Sequence, residues 1–323
     1  MIYVVRNFLF YFFSVFIAGC TVLPTPEDRM ALADALASRQ GWYAESIQVE
    51  QFALAAYLPR RFSKQNILTV YIEGDGLAWI DGETPSYDPT PRYPLGLKLA
   101  LVHPDGNAAY LARPCQFIGE VAAERCGRDY WTNKRFSPEV ITASSSALDI
   151  LKQRFGAKQL RLVGYSGGGA VAALVASRRD DVVLLVTVAG NLETEVWVRH
   201  HRLSPLSGSL NPASARMKLA RIKQIHFSGA NDRVVPPAIA EAFVLGFPPA
   251  QQPKIREMQG YNHSCCWVDN WSELWRWIQR QQTSLSLDEW PPDALYYYKL
   301  QVPNSTAQLR IPEYSDDVST LAP

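Results

Sequence analysis

Short apolar segments alternate with helix-like segments through two thirds of this chain, from residue 67 to residue 282. The clearest apolar segments, each predicted to be a strand, are 67–72, 108–112, 159–163, 182–188, 222–227 and 254–258. Strands that are buried on both faces of a parallel sheet are largely apolar, and strands that alternate with helices form such sheets. The pattern therefore predicts an α/β fold, with a mostly parallel twisted sheet flanked by helices.

The predicted helices occupy the intervals between these strands. The longest begins at Ser137-Pro138-Glu139 and extends to about Phe155. A hydroxyl that can cap a helix precedes proline there, at the first helical position. Shorter helices are predicted at 30–39, 168–177, 237–245 and 270–281. The interval 191–221 lacks strong periodicity and is predicted to form a small cap over the site.

The size of the chain favours one domain. Its 323 residues, 47% of them hydrophobic, suffice for one large core or two small ones, and α/β folds of this size usually form a single domain. We place this domain at 29–283. The extension 284–323 holds five prolines and three adjacent tyrosines. Its aromatic residues could pack on the domain, and its end is predicted to be disordered or loosely held.

The N-terminus differs in composition from the rest of the chain. An apolar stretch at 8–18 follows a single charge at Arg6, and it is too short to span a bilayer, which favours a signal peptide. Its ending, Ile17-Ala18-Gly19-Cys20, resembles the bacterial lipobox. This resemblance implies a signal peptide at 1–19, lipidation of Cys20 and a place at the bacterial cell envelope, on the periplasmic face and expected at the outer membrane. The polar, proline-containing composition of 20–28 indicates a tether. An ordinary cleaved signal or a retained helix are the alternatives.

Charge and histidine spacing exclude two classes of ligand. The 32 basic and 31 acidic residues nearly cancel, and no basic run is interleaved with aromatic residues, so nucleic acid is not expected as a partner. The chain has no CxxC pair. His200 and His201 are adjacent, so their side chains point apart in a helix or a strand. No metal site and no cofactor are therefore expected.

Four cysteines follow Cys20, and an exported protein lies in an oxidising compartment where disulfides form. Four cysteines allow three complete pairings. The separation of Cys115 and Cys126 suits a small closed loop, and we predict a disulfide between them. The adjacent Cys265 and Cys266 could form a vicinal bridge or stay reduced.

The sequence Gly164-Tyr165-Ser166-Gly167-Gly168 matches G-x-S-x-G, the pattern of a nucleophile elbow. The serine in such an elbow stands on a tight turn from strand to helix, and small flanking residues let the two backbones approach. The pattern alone recurs by chance in about one chain in ten of this length. Here a strand pattern precedes the serine and an alanine-rich helix pattern follows it, which is the setting that the motif requires.

Two later loops supply the other members of a triad. Asp232 follows the strand at 222–227, in a stretch that closely resembles the acid loop of α/β hydrolases, and His263 follows the strand at 254–258. The order Ser, Asp, His is that of the α/β-hydrolase superfamily. His263 is also the only histidine that follows the acid. Glu193 and Glu195, which follow the preceding strand at 182–188, are substitute acids.

The resemblance to α/β hydrolases also implies an oxyanion hole. One donor is the backbone N–H of Gly167, and the other comes from the loop after the strand at 67–72. That loop, from Glu73 to Trp79, lacks the family's histidine and carries two acids. A carboxylate would repel an oxyanion, so we expect Asp75 to serve through its N–H, with Gly76 as the alternative. Its side chain would then turn away or pair with Arg92 or Arg113.

The resemblance implies a serine hydrolase, with acyl esters, small or lipid-like, as the expected substrates at a membrane reached through the lipid anchor. A peptidase or an acyltransferase uses the same triad. A non-catalytic binding lipoprotein that keeps the fold is a third class. Three tryptophans could either line an acyl pocket or belong to the core: Trp79, Trp197 and Trp267.

Overall fold

The structure is a computed structural model that describes residues 23–119 and 126–283. The predictions of a signal peptide, of a lipidated Cys20 and of a C-terminal extension at 284–323 lie outside the described residues. Within the described ranges, no helix is both long enough and apolar enough to cross a membrane.

One eight-stranded sheet forms the centre of the domain, in the order β1-β2-β4-β3-β5-β6-β7-β8. Its strands are β1 (Trp42–Val49), β2 (Phe52–Pro59), β3 (Ile67–Ile72), β4 (Asn107–Leu111), β5 (Gln159–Tyr165), β6 (Val182–Val188), β7 (Lys223–Gly229) and β8 (Lys254–Met258). β2 pairs antiparallel with β1 and with β4, and all other neighbours are parallel. The mostly parallel sheet predicted from the alternating pattern is confirmed.

Helices cover both faces of this sheet. They are α1 (Pro26–Arg39), α2 (Leu95–Leu101), α3 (Pro138–Phe155), α4 (Gly167–Ala176), α5 (Thr194–His200), α6 (Arg216–Leu219), α7 (Pro237–Leu245) and α8 (Trp271–Thr283). Side chains of α3, α4 and α7 form one core with one face of the sheet, and side chains of α1, α2 and α8 form a second core with the other. Along β3, Leu68 and Val70 enter the first core and Tyr71 the second, as the two-residue period of a strand requires.

The sheet begins earlier than the sequence predicted. β1 and β2 form a hairpin ahead of the first predicted strand, and Val49 pairs with Phe52 across a two-residue turn. Turns of this kind usually contain glycine or asparagine, because the backbone adopts positive φ. Here Glu50 takes that conformation, with φ of 50°, so the usual signal of a hairpin is missing.

The first helix also begins inside the segment predicted as a tether. α1 begins at Pro26 rather than near residue 30. The Thr25 side chain accepts a hydrogen bond from the Asp28 N–H, and the Asp28 carboxylate accepts one from the Thr25 N–H. This reciprocal capping satisfies N–H groups that the first turn of a helix leaves free. The ordered domain therefore starts within 20–28.

Candidate active site

Ser166 occupies a strained turn between β5 and α4. Its backbone has φ of 51° and ψ of −123°, a conformation that costs a non-glycine residue about 1–3 kcal/mol. The turn also requires small neighbours. A Cβ at Gly164 would lie 2.3 Å from the carbonyl oxygen of Gly168, and one at Gly168 would lie 2.3 Å from that of Glu73. Strand and helix thus approach closely enough to raise the serine at their junction.

The three predicted triad residues meet at one edge of the sheet. Ser166, Asp232 and His263 follow β5, β7 and β8, and the carboxyl ends of these parallel strands lie at the same edge. The Oγ of Ser166 lies 3.0 Å from Nε2 of His263. The Nδ1 of His263 lies 2.8 Å from Oδ2 of Asp232. The structure therefore brings all three together in a hydrogen-bonded chain.

The substitute acids lie elsewhere. Glu193 pairs with Arg216 at 3.1 Å and accepts a hydrogen bond from the Asn211 amide at 2.6 Å. Glu195 is exposed on α5. Asp232, by contrast, is buried beside the histidine. The structure therefore favours Asp232 as the acid.

Two aromatic residues fix the loop that carries His263. The ring of Tyr165 lies 5.2 Å from the imidazole, and its hydroxyl donates to the His263 carbonyl at 3.3 Å. The indole N–H of Trp267 donates to the carbonyls of Asn262 and His263, each at 3.1 Å. Trp267 is fully buried, so of its two proposed roles the core role is the one observed.

The predicted oxyanion loop is held by a buried carboxylate. Glu73 accepts hydrogen bonds from the N–H groups of Gly74 and Gly96 and from the Tyr110 hydroxyl, each at 3.0 Å. Burial raises the pKa of Glu73 in spite of these hydrogen bonds. In the sequence Glu73 stands out only as one of the two acids of this loop, because nothing in its neighbours along the chain reveals that α2 and β4 surround it.

The side chain of Asp75 pairs with two arginines. Arg113 reaches one carboxylate oxygen at 3.0 Å and Arg135 the other at 2.7 Å. Arg113 was one of the two partners expected from the sequence. The second partner is Arg135, and the suggestion of Arg92 was wrong. Burial favours a raised pKa for Asp75, but the charges of Arg135 and Arg113 outweigh it and hold that pKa below its usual value. Asp75 is therefore a carboxylate at neutral pH.

The backbone N–H groups of the three expected oxyanion donors, Asp75, Gly76 and Gly167, have no hydrogen-bond partner in the part of the chain that the structure describes. Gly76, the alternative donor, has φ of 67°, and a Cβ there would lie 2.0 Å from the Pro89 carbonyl oxygen. The need for glycine at position 76 thus follows from the turn itself.

Comparisons with known proteins agree on the architecture. No protein-family model and no curated protein sequence matches the chain. Among solved structures, it is similar to Est1E from Butyrivibrio proteoclasticus, with 15% identity and a TM-score of 0.51 over 74% of this chain and 98% of that one. It is also similar to an alpha-beta serine hydrolase homologue from Coxiella burnetii, with 16% identity and a TM-score of 0.50 over 74% and 96%. A third is a puromycin-hydrolyzing peptidase from Mycobacterium tuberculosis, with 14% identity and a TM-score of 0.50 over 69% and 36%. The chain has the α/β-hydrolase fold.

The interval predicted as a cap contacts both sides of this hydrolase-fold site. It contains α5 and α6 between β6 and β7. The indole N–H of Trp197 donates to the carbonyl of Val234, in the acid loop, at 2.7 Å. The ring of Trp197 also lies 6.0 Å from the Arg135 guanidinium, which pairs with Asp75. Trp79, the remaining tryptophan of the three, is 38% exposed.

All four described cysteines are paired. Cys115 is joined to Cys126, the pairing expected from their separation, and Cys265 is joined to Cys266, one of the two states left open. The second bridge lies two residues beyond His263. Among the described residues, no group of three or more histidine, cysteine, aspartate or glutamate side chains is placed to hold a metal ion.

Proposed function

We propose that the protein is a serine hydrolase that cleaves acyl esters through a covalent acyl-enzyme on Ser166. One observation carries the proposal: Ser166, His263 and Asp232 form a continuous hydrogen-bonded chain at a strained strand-to-helix turn. A serine hydroxyl is a poor nucleophile at neutral pH and needs an adjacent base. The two hydrogen bonds support His263 as that base and Asp232 as the acid that orients it.

The reaction proceeds in two halves. His263 Nε2 accepts the Ser166 proton as Oγ attacks the ester carbonyl carbon, and Asp232 stabilises the imidazolium. The N–H groups of Gly167 and Asp75 donate to the oxyanion. His263 then returns the proton to the leaving alcohol oxygen as the carbon–oxygen bond breaks. Water attacks the acyl-enzyme by the same route, which releases the acid and restores Ser166.

The substrates that we propose are small or lipid-like acyl esters at a membrane surface. The sequence Ile17-Ala18-Gly19-Cys20 supports attachment of the protein to the bacterial envelope through a lipid on Cys20. One acyl chain binds membranes only marginally, whereas two or more anchor a protein stably. Cys20→Ser should therefore release the protein from the membrane fraction or leave the precursor uncleaved. An intact mass that shows an unmodified mature chain would contradict this part of the proposal.

Amide hydrolysis is the second candidate. The same triad supports it, and one structural neighbour is described as a peptidase. A panel of p-nitrophenyl esters of increasing acyl length, together with aminoacyl anilides, separates the two activities. Faster turnover of anilides than of every ester would replace the esterase assignment.

Labelling with a fluorophosphonate probe tests the nucleophilic serine that ester and amide hydrolysis share, because the probe reacts only with an activated serine. Wild type should be labelled and Ser166→Ala should not. Ser272→Ala, on the exposed face of α8, is the matched control and should be labelled like wild type. Absence of labelling in the folded wild-type protein would favour a binding lipoprotein that keeps the fold without the activity.

A further inference from the structure

The carboxylate of Asp75 packs against the backbone of Gly167. A Cβ built at Gly167 would lie 2.0 Å from Oδ1 of Asp75 and 2.6 Å from its Cγ. This contact joins the two residues whose N–H groups we assign to the oxyanion hole. It also brings a negative charge close to the position where the substrate oxygen becomes negative. An unpaired carboxylate there would raise the barrier of the reaction, because like charges repel strongly where water is excluded.

Two arginines reverse the charge of this cluster. Arg113 and Arg135 each bind one oxygen of Asp75, and their side chains are only 5% and 6% exposed. With one carboxylate and two guanidinium groups, the net charge of the cluster is +1. This sign favours an oxyanion in the adjacent space, whereas Asp75 alone would oppose it.

The two arginines are themselves fixed in place. A guanidinium N–H of Arg113 donates to the carbonyl of Arg135, and Nε of Arg135 donates to the carbonyl of Thr132 at 2.6 Å. The Arg113 guanidinium lies 5.2 Å from the ring of Phe136, and that of Arg135 lies 6.0 Å from the ring of Trp197. The orientation of the Asp75 carboxylate therefore depends on the segment at 131–136 before α3 and on α5.

We infer that Arg113 and Arg135 are positioning residues for the oxyanion hole: they hold the Asp75 carboxylate against Gly167 and outweigh its charge, and so set the spacing of the two donors. The inference rests on the proposed function, since it concerns the same reaction. It assigns to Asp75 a side-chain role in addition to the N–H that the sequence indicated. It also explains why position 167 must be glycine.

Kinetics of Arg135→Met on the best ester test this role. Loss of one oxyanion donor lowers turnover by about a hundredfold to a thousandfold in a known hydrolase, and we expect a fall in kcat of about tenfold to a hundredfold here, with KM within about threefold of wild type. A trifluoromethyl ketone, which forms an oxyanion on the serine, should lose affinity by the same factor as kcat/KM. Arg135→Lys, which keeps the charge, should have a kcat between those of wild type and Arg135→Met.

The double variant Asp75→Asn/Arg135→Met separates this role from a loss of folding. In Arg135→Met the Asp75 carboxylate repels the oxyanion more strongly, because one of its two cations is gone. Asp75→Asn removes that repulsion, so kcat of the double variant should be about tenfold higher than that of Arg135→Met alone. Arg179→Met is the matched control. Its side chain is 9% exposed and pairs with Asp149 and Asp181, at the opposite edge of the sheet from Ser166. It should keep wild-type kcat.

The outcomes distinguish this inference from the proposed function. If the wild type neither turns over esters nor reacts with the fluorophosphonate, the proposed function fails and this inference fails with it. If the wild type is active, unchanged kcat and unchanged ketone affinity in folded Arg135→Met overturn this inference alone. A double variant that is no faster than Arg135→Met also overturns it. Thermal melting of each variant establishes that the protein is folded.

Discussion

The carboxylate of Asp232 binds His263 with one oxygen and the backbone of its own loop with the other. Oδ2 lies 2.8 Å from His263 Nδ1, while Oδ1 accepts the N–H groups of Val234 and Val235 at 2.8 and 2.9 Å. The carboxylate is completely buried. Each oxygen therefore has a fixed task, and the imidazole is held with Nδ1 as donor and Nε2 toward Ser166.

Asp232→Asn should preserve the conformation of the acid loop and lose most of the activity. The amide oxygen can still accept the backbone N–H groups, but its NH2 would then face Nδ1 and favour the wrong imidazole tautomer. We expect kcat to fall on the order of a thousandfold or more, with little change in melting temperature. Glu193→Gln and Glu195→Gln are the controls and should keep near-normal kcat. A near-normal rate in Asp232→Asn together with collapse in either control would mean that the acid is another residue.

Ser166→Ala and His263→Ala should have effects that do not add. The two side chains act as one unit at 3.0 Å, so loss of either removes the same nucleophilic step. Each single variant should lower kcat by several orders of magnitude, and the double variant should be scarcely slower than either. Steady-state kinetics of the three variants measure this. A double variant whose loss is the product of the two single losses would contradict the shared role.

Local patterns were sufficient for most of the parallel sheet. β3, β6, β8 and α7 have the bounds predicted. β3 and β6 are short apolar runs between polar turns, which leave little choice of length. The antiparallel hairpin of β1 and β2 was not predicted, since Glu50 occupies a positive-φ position that usually signals itself with glycine or asparagine. The α2 helix was also missed, because its seven residues are too few for a periodic pattern.

The meeting of Ser166, Asp232 and His263 was predictable from the sequence, whereas the ion pairs that hold the oxyanion loop were not. Ser166, Asp232 and His263 each follow a strand whose pattern is visible, and parallel strands bring their carboxyl ends together without further information. Arg135, by contrast, lies 60 residues from Asp75 along the chain, and its contact depends on how α3 packs on the sheet. A single sequence contains no local signal for such a pair.

Gly164→Ala should displace the nucleophile. The new Cβ would lie 2.3 Å from the Gly168 carbonyl oxygen and 2.5 Å from the Gly169 Cα, so α4 must move away from β5. Overpacking of this kind typically costs about 1–3 kcal/mol of stability. Probe labelling of Ser166 should fall sharply as well. Gly82→Ala, which would meet no atom within 4 Å, should match wild type in both measurements. Equal behaviour of the two variants would show that the elbow tolerates a side chain.

The two disulfides should differ in their contribution to stability. The Cys115–Cys126 bond joins residues 11 apart, and the Cys265–Cys266 bond joins neighbours. In the chain-entropy model a bond that closes a loop of this length stabilises a protein by about 3 kcal/mol, whereas a vicinal bond closes no loop. Urea denaturation should therefore show a larger loss for Cys115→Ser/Cys126→Ser than for Cys265→Ser/Cys266→Ser. Non-reducing peptide mapping that finds Cys115 free would contradict the first pairing.

His226 should make the protein less stable in acid. Its ring is fully buried against Phe243, and its Nδ1 lies 2.9 Å from the Thr187 hydroxyl. Burial lowers the pKa of His226 from 6.5 to about 3. Between these values the unfolded chain binds a proton that the folded chain does not. The free energy of unfolding therefore falls as the pH falls below 6.5, and this histidine's share of the loss is complete near pH 3.

Urea denaturation of His226→Gln between pH 7 and pH 4.5 measures this contribution. At pH 4.5, two units below the unfolded pKa, the difference in proton binding lowers the free energy of unfolding by about 3 kcal/mol. On acidification the free energy of unfolding should therefore fall by about that much more in wild type than in the variant. The variant should be less stable than wild type at pH 7, because glutamine fills the site less well, yet its stability should change less with pH. His200→Gln, on the exposed end of α5, is the control and should keep the wild-type slope. Parallel pH profiles for wild type and His226→Gln would show that His226 is not the titrating group.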